Sequence, residues 1–327
     1  MKVAFYDTHT FERLAFEKVN QNSEVEIRFL EMKLNAETAV FAKGAQAVCA
    51  FVNDKVDERC LRNLHAVGVK MVALRSAGFN HVNLKVAEEL GIAVARVPGY
   101  SPNAISEFTL GLLLTLNRKI HKSYMRVREL NFSLDGLVGF DLNGKTVGVI
   151  GMGRIGALFA KSVEALGCKV LAYDKYPSDN FKYVELNEIF EQSDIISLHV
   201  PLTPMTKHMI NDESIALMKD GVTLLNTGRG GLIDTKALIR ALKSKKIAGV
   251  ALDVYEEEEE FFFRDLSDTG LSDDVLARLL TFPNVLISSH QAFLTHEALG
   301  NIAQTTLDNL VEFKKTGKVT VNKVELN

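Results

Sequence analysis

The sequence predicts an α/β fold of two doubly wound parallel-sheet domains, and three observations predict it. Short apolar runs of strand character alternate with helical patterns along the whole chain, the order that builds parallel sheets with helices on both faces. A glycine turn, Gly151-Met152-Gly153-Arg154-Ile155-Gly156, separates one such strand from the helix after it. The 327 residues also exceed what one hydrophobic core usually holds, so the alternation divides in two.

The smaller domain is expected over residues 1–99, completed by the end of the chain over 295–327. Strands are expected at Lys2–Asp7, Val25–Leu30, Ala47–Phe51, Lys70–Arg75 and Ala93–Arg96, with helices at Asp57–His65 and Asn83–Leu90 among those between them. No glycine turn follows the first of these strands, so this sheet is not expected to bind a dinucleotide. Its fourth strand runs into Arg75-Ser76-Ala77-Gly78-Phe79-Asn80-His81. Ligands of wound sheets collect at the carboxyl ends of strands. A turn of small residues there could hold a carboxylate through its amides, and a plain strand-to-helix turn fits the same residues equally well.

At Val97-Pro98-Gly99-Tyr100-Ser101-Pro102 the pattern breaks, and the larger domain is expected over 100–294. Ser101 is placed as an N-cap and Pro102 as the first helical residue. One long helix is expected over Asn103–Leu130. Ile105, Phe108, Leu112 and Leu116 line one face of it, and Leu110, Leu113 and Leu114 another. A helix apolar on more than one side is buried by more than its own domain, which marks it as a bridge between domains and a contact between subunits.

The stretch Thr146–Asp174 reads as strand, glycine turn, helix, strand and terminal acid. Gly151 permits the tight turn, Gly153 lets backbone approach a pyrophosphate, and Gly156 lets the helix pack closely on the strand. Helix-start amides then face the phosphates. Asp174 stands where a carboxylate accepts from ribose hydroxyls and repels a 2′-phosphate, so the expected cofactor is NAD rather than NADP. Further strands follow near Asp194–Leu198, Val222–Asn226, Ile247–Leu252 and Val285–Ser288, with helices at Asp212–Met218 and Thr235–Leu242. An acidic and then aromatic loop, Glu256–Asp268, interrupts the last crossover. A final helix over His296–Thr316 is expected to return to the first domain.

Composition excludes several classes of function. A net charge of −3 without a basic block argues against a nucleic-acid partner. The start lacks a basic segment followed by an apolar run, and no apolar stretch approaches bilayer length, so neither a secretory leader nor a membrane partner is expected. Cys49, Cys60 and Cys168 are scattered in apolar settings and read as core thiols of a cytoplasmic protein. No His/Cys cluster has metal-ligand spacing, so no metal is expected.

Three strand ends of the second sheet carry reactive groups. Arg229 lies between glycines in Asn226-Thr227-Gly228-Arg229-Gly230; a guanidinium there could fork a carboxylate or pair with a local acid. Asp253-Val254-Tyr255-Glu256-Glu257-Glu258 could supply an acid that orients a histidine, although a solvated acidic loop describes most of the run. His290 closes the last strand, where a structural histidine is the commoner case. A dinucleotide site, an arginine, an acid and a histidine on one edge suffice for hydride transfer on a 2-hydroxy acid.

At this point the chain resembles the D-isomer-specific 2-hydroxyacid dehydrogenases, and among them the fermentative D-lactate dehydrogenases. The resemblance rests on Leu74–Leu84, Val97–Phe108, Gly148–Gly156, His199–Thr203, Asn226–Asp234, Leu252–Asp268 and Ser288–Phe293. It implies a Rossmann-type NAD-binding domain and a smaller flavodoxin-like substrate domain, with the active site between them and closure excluding water. It implies that Arg229 binds the substrate carboxylate, that His290 is the general acid/base, and that Glu258 holds the imidazole. Ser76, Ala77, Gly78, Tyr100 and Phe293 resemble substrate-pocket positions. Gly151, Gly153, Arg154, Ile155, Gly156, Asp174, Val200, Pro201, Thr227, Gly228 and Asp253 resemble cofactor contacts. Gly228 stands where relatives often carry a side chain, with little effect expected. The implied reaction is reversible reduction of pyruvate to D-lactate by a homodimer or homotetramer. Longer 2-oxo acids such as 2-oxoisocaproate are the alternative substrates, and an NAD-gated corepressor scaffold is the alternative class.

Overall fold

The structure, a computed structural model, describes residues 1–23 and 25–325. Internal contacts divide the chain into two compact units, Met1–Ser101 with Leu294–Asn327, and Pro102–Phe293. The last two residues of the expected 295–327 segment lie outside the described ones.

The first unit opens with strands β1 (Lys2–Phe5), β2 (Glu26–Phe29), β3 (Ala47–Ala50), β4 (Met71–Leu74) and β5 (Ala93–Ala95), in the order β2-β1-β3-β4-β5 and all parallel. Every residue of β3 and β4 is buried, as expected of strands covered on both faces. Helices α1 (Thr10–Val19), α2 (Glu58–Ala66) and α3 (Leu84–Glu89) connect them. Asp57 and Asn83 cap α2 and α3 by accepting from the amides of Cys60 and Val86. His9, at the N-cap of α1, makes no side-chain capping bond.

The second unit begins with α4 (Pro102–Arg118) and α5 (Ile120–Arg128). The single helix expected over Asn103–Leu130 is therefore two. Lys119 takes a left-handed conformation (φ 56°) and its ammonium bonds the Leu116 carbonyl, while the Asn117 amide exchanges two hydrogen bonds with the Phe140 backbone. Those long-range bonds end α4, and no periodicity within 103–130 reports them. Leu112, Leu113 and Leu116 of α4 are buried; no residue of α5 is.

The strands and helices then alternate: β6 (Thr146–Ile150), α6 (Arg154–Ala165), β7 (Lys169–Tyr173), α7 (Leu186–Gln192), β8 (Ile195–Leu198), α8 (Asp212–Leu217), β9 (Val222–Asn226), α9 (Thr235–Lys243), β10 (Ile247–Leu252), α10 (Asp274–Leu280) and β11 (Val285–Ile287). The sheet order is β11-β10-β9-β8-β6-β7, all parallel. Tyr183 adds a parallel bridge to Ala172 on the outer side of β7, and with it the order becomes that of a Rossmann sheet. Successive residues serve opposite faces. Ile150 and Leu224 enter the core under α8 and α9, whereas Val149 and Leu225 enter the core formed with α4 and α6.

The chain returns to the first unit as α11 (His296–Thr316), which packs on α1 and β4. Its N-cap is Thr295 and it ends at Gly317 in the left-handed conformation. Beyond it, Lys323 forms an antiparallel bridge with Ala95, flanked by bonds from Val324 N to Val94 O and from Arg96 N to Asn322 O, so the outer edge of β5 is closed by the end of the chain.

Candidate active site

Because every strand of the larger sheet is parallel, the carboxyl ends of β6 through β11 share one edge. The winding reverses between β6 and β8, and that switch point is where wound sheets take ligands.

The glycine turn opens at the switch. Gly151 has φ 96°, and a Cβ on it would lie 2.7 Å from the carbonyl of His199. A Cβ on Gly156 would lie 1.9 Å from Gly151 O, so both glycines are required by close backbone approach. Gly153 is different. It heads α6 without a side-chain cap, and a Cβ there would meet no atom within 4 Å. Open space over uncapped helix-start amides, with Arg154 and Ile155 on the first turn, fits a dinucleotide pyrophosphate. Asp174 ends β7 beside the turn: Oδ2 accepts from Met152 N at 2.6 Å and Oδ1 from Tyr176 N at 2.9 Å. Val200 is half-buried and Pro201 exposed just beyond β8.

His199, between those elements, stands in one of the segments that carry the resemblance, where the sequence assigned it no role. Its Nε2 lies 2.8 Å from Ser197 Oγ, its ring packs on Phe159, and burial pushes its pKa down to about 4. A neutral imidazole thus underlies the turn.

The turn after β9 is built by Asn226, whose Oδ1 accepts from Gly228 N at 3.0 Å and whose Nδ2 donates to Arg229 O at 2.9 Å. Thr227 is buried with its hydroxyl 2.8 Å from that of Thr109. Arg229 Nη1 donates to Gly228 O at 2.8 Å, and among the described residues no acid pairs with its guanidinium. A Cβ on Gly228 would have its nearest contact at 3.5 Å, ordinary van der Waals distance, so the missing side chain there alters little. Gly230 has no such latitude, since a Cβ would lie 2.1 Å from the Tyr255 carbonyl.

Beyond β10 and β11 the structure brings His290 and Glu258 together. Nδ1 of His290 lies 2.6 Å from Glu258 Oε1, Oε2 of Glu258 accepts from Tyr255 N at 2.9 Å, and both side chains are largely buried. Asp253 is fully buried: Oδ1 accepts from Ser288 Oγ and Gln291 N, and Oδ2 from Ala292 N. Those bonds hold the segment carrying His290, a task the sequence did not reveal. Burial raises the Asp253 pKa, against the lowering by these hydrogen bonds. Phe293 is buried at the end of this unit. The acidic-aromatic loop is anchored by Phe262, which sits in the core, and Phe263 brings its ring 6.1 Å from that of His290.

In the first unit, Ser76, Ala77 and Gly78 follow β4. Ser76 Oγ donates to Gly78 O at 2.7 Å, Arg96 holds Ala77 O at 3.0 Å, and the Ala77 and Gly78 amides donate to no carbonyl among the described residues. Tyr100 is half-buried, its carbonyl held by Asn301.

Comparison with known proteins bears on the family and the fold. Residues 110–292 match the family of D-isomer specific 2-hydroxyacid dehydrogenases through their NAD binding domain. The chain is similar to 2-hydroxyacid dehydrogenase homolog 1 of Schizosaccharomyces pombe, 51% identical over 96% of each chain. It is also similar to the apo structure of D-lactate dehydrogenase from Escherichia coli, with TM-score 0.90 and 45% identity over 99% of this chain and 100% of that one. A structure of D-2-hydroxyisocaproate dehydrogenase matches with TM-score 0.85 and 34% identity over 99% of both.

Proposed function

We propose that this chain, which belongs to the D-isomer-specific 2-hydroxyacid dehydrogenases and takes NAD as its cofactor, reduces pyruvate reversibly to D-lactate. The observation that carries the reading is the His290–Glu258 pair on the sheet edge shared with an arginine that has no acidic partner among the described residues.

NAD, when bound, supplies or takes the hydride. The protein's own residues are left to anchor the carboxylate, orient the carbonyl and hold a proton. Arg229 offers a planar fork matched to a carboxylate. Glu258 accepts from Nδ1 of His290, which fixes the ring and leaves Nε2 to hold the transferable proton. In reduction the imidazolium gives that proton to the carbonyl oxygen; in oxidation the neutral ring takes it back. Ala77 and Gly78 amides, Ser76, Tyr100 and Phe293 are assigned to the substrate. Val200, Pro201, Thr227, Gly228 and Asp253 are assigned to the cofactor together with the glycine turn and Asp174.

The test is NADH oxidation by the purified chain with pyruvate and with 2-oxoisocaproate, and the configuration of the product. Faster turnover of pyruvate to D-lactate is expected. Preference for the branched acid would keep the mechanism and change the substrate, a reading to which the likeness to D-2-hydroxyisocaproate dehydrogenase lends some support. NADH binding without turnover of either acid would replace catalysis with an NAD-gated scaffold.

We further infer a homodimer or homotetramer. Ile120, Tyr124, Met125, Leu130, Phe132, Leu134 and Val138 are all exposed on and after α5, apolar side chains that a subunit contact would cover. A monomer by light scattering at micromolar protein would remove the inference. No described helix is long and apolar enough to cross a membrane. The unpaired, buried thiols of Cys49, Cys60 and Cys168 support a cytoplasmic location.

A further inference from the structure

Two carboxylates of the acidic run each hold a histidine. Glu258 holds His290; Glu256 holds His208, with Oε1 2.5 Å from Nε2. The other oxygen of Glu256 accepts from the Thr235 hydroxyl at 3.0 Å and lies 3.5 Å from the Thr235 amide. His208 has a left-handed backbone (φ 51°), its amide donates to Gly231 O at 2.8 Å, and its carbonyl accepts from Asn211 Nδ2 at 3.0 Å.

These contacts join two loops. Gly231 and Gly230 belong to the loop of Arg229, and Gly230 is pressed against the Tyr255–Glu256 peptide, where a Cβ would be 2.1–2.4 Å from its atoms. Tyr255 in turn gives its amide to Glu258. A continuous path therefore runs from the Arg229 loop through His208, Glu256 and Tyr255 to the Glu258–His290 pair. The His208 and Glu256 side chains are 36% and 23% exposed. Partly solvated pairs of this kind return little stability, so stability alone does not account for closing one across two functional loops.

We propose that Glu256 and His208 are positioning residues that set the separation between the Arg229 guanidinium and the Glu258–His290 pair. The inference rests on the dehydrogenase reading for the roles of Arg229 and His290. Misplacing reacting groups by about 1 Å can cost on the order of a hundredfold in rate, so a clasp of this kind acts on rate rather than on folding.

The experiment uses the full chain with Glu256→Ala, His208→Gln and the double variant. Four quantities are measured: the melting temperature, NADH affinity by fluorescence, kcat and KM for pyruvate, and the downfield proton resonance of the His290 Nδ1–H bond. Expected are little change in melting or NADH affinity, and a kcat/KM lower by about ten- to a hundredfold. Both kcat and KM should contribute, since anchor and proton donor move relative to each other. The double variant should lose no more than the worse single variant, and the resonance should shift or broaden. Unchanged kinetics and resonance in folded variants would overturn the proposal, as would losses that multiply in the double variant. If Glu256→Ala does not fold, His208→Gln, at the more exposed end, carries the test. Failure of the unaltered chain to turn over either 2-oxo acid would overturn the dehydrogenase reading instead. The resonance needs no substrate and still reports whether Glu256 orders the His290–Glu258 pair.

Discussion

His290 holds a left-handed backbone, φ 53°, with its Nδ1 2.6 Å from Glu258 Oε1. That conformation costs a non-glycine residue about 1–3 kcal/mol. It persists because His290 N donates to Asp253 O at 2.7 Å while the Asp253 carboxylate grips the two residues that follow. His290→Gln should therefore keep the fold and lower kcat on the order of a hundredfold or more. Stopped-flow NADH oxidation measures this, and near-normal turnover would reject the proton-transfer role.

Arg229→Lys keeps the charge and loses the fork. KM for pyruvate should rise with NADH affinity unchanged. A change confined to NADH affinity would make Arg229 a phosphate contact.

Asp174→Asn keeps an oxygen for the Met152 amide and removes the negative charge. Discrimination against NADPH should relax, because the repulsion toward a 2′-phosphate is gone. Equal cofactor ratios before and after the substitution would show that selectivity lies elsewhere.

Burial keeps His199 neutral down to about pH 4, whereas in the unfolded chain it takes up a proton near pH 6.5. The unfolded state binds more protons between those values, so this residue's contribution to stability is whole above about pH 6.5 and declines as the pH falls toward 4. Urea midpoints at pH 7 and pH 5 should differ more for the natural chain than for His199→Gln. Parallel pH dependences would assign the acid sensitivity to other groups.

What the sequence made legible was local. Strand, turn and helix around Gly151–Gly156 are encoded within a few residues, as are the caps at Asp57, Asn83 and Thr295. The fold class followed from those, and so did the shared edge on which Arg229 and His290 stand. The choice of Glu258 among five glutamates rested on family likeness, because which carboxylate meets the imidazole depends on how Tyr255 and Phe262 seat the loop. The break at Lys119 was invisible for the same kind of reason, since the bonds that end α4 come from Phe140. Asp253 acts through the amides of Gln291 and Ala292, far along the chain, and His199 through burial, and residue type alone carries no sign of either.

The closing of β5 by Lys323 and Val324 has a consequence for biosynthesis. Residues 102–293 form one uninterrupted unit, whereas the first unit is split across both ends of the chain. At about 5–20 residues per second, the ribosome spends roughly ten to forty seconds on the inserted unit before α11 and the closing segment emerge. Through that interval β5 offers an unpaired edge, the feature most prone to pairing with another chain. The residues of the first unit made before the inserted one therefore wait for Asn322–Val324 before the edge of β5 can close.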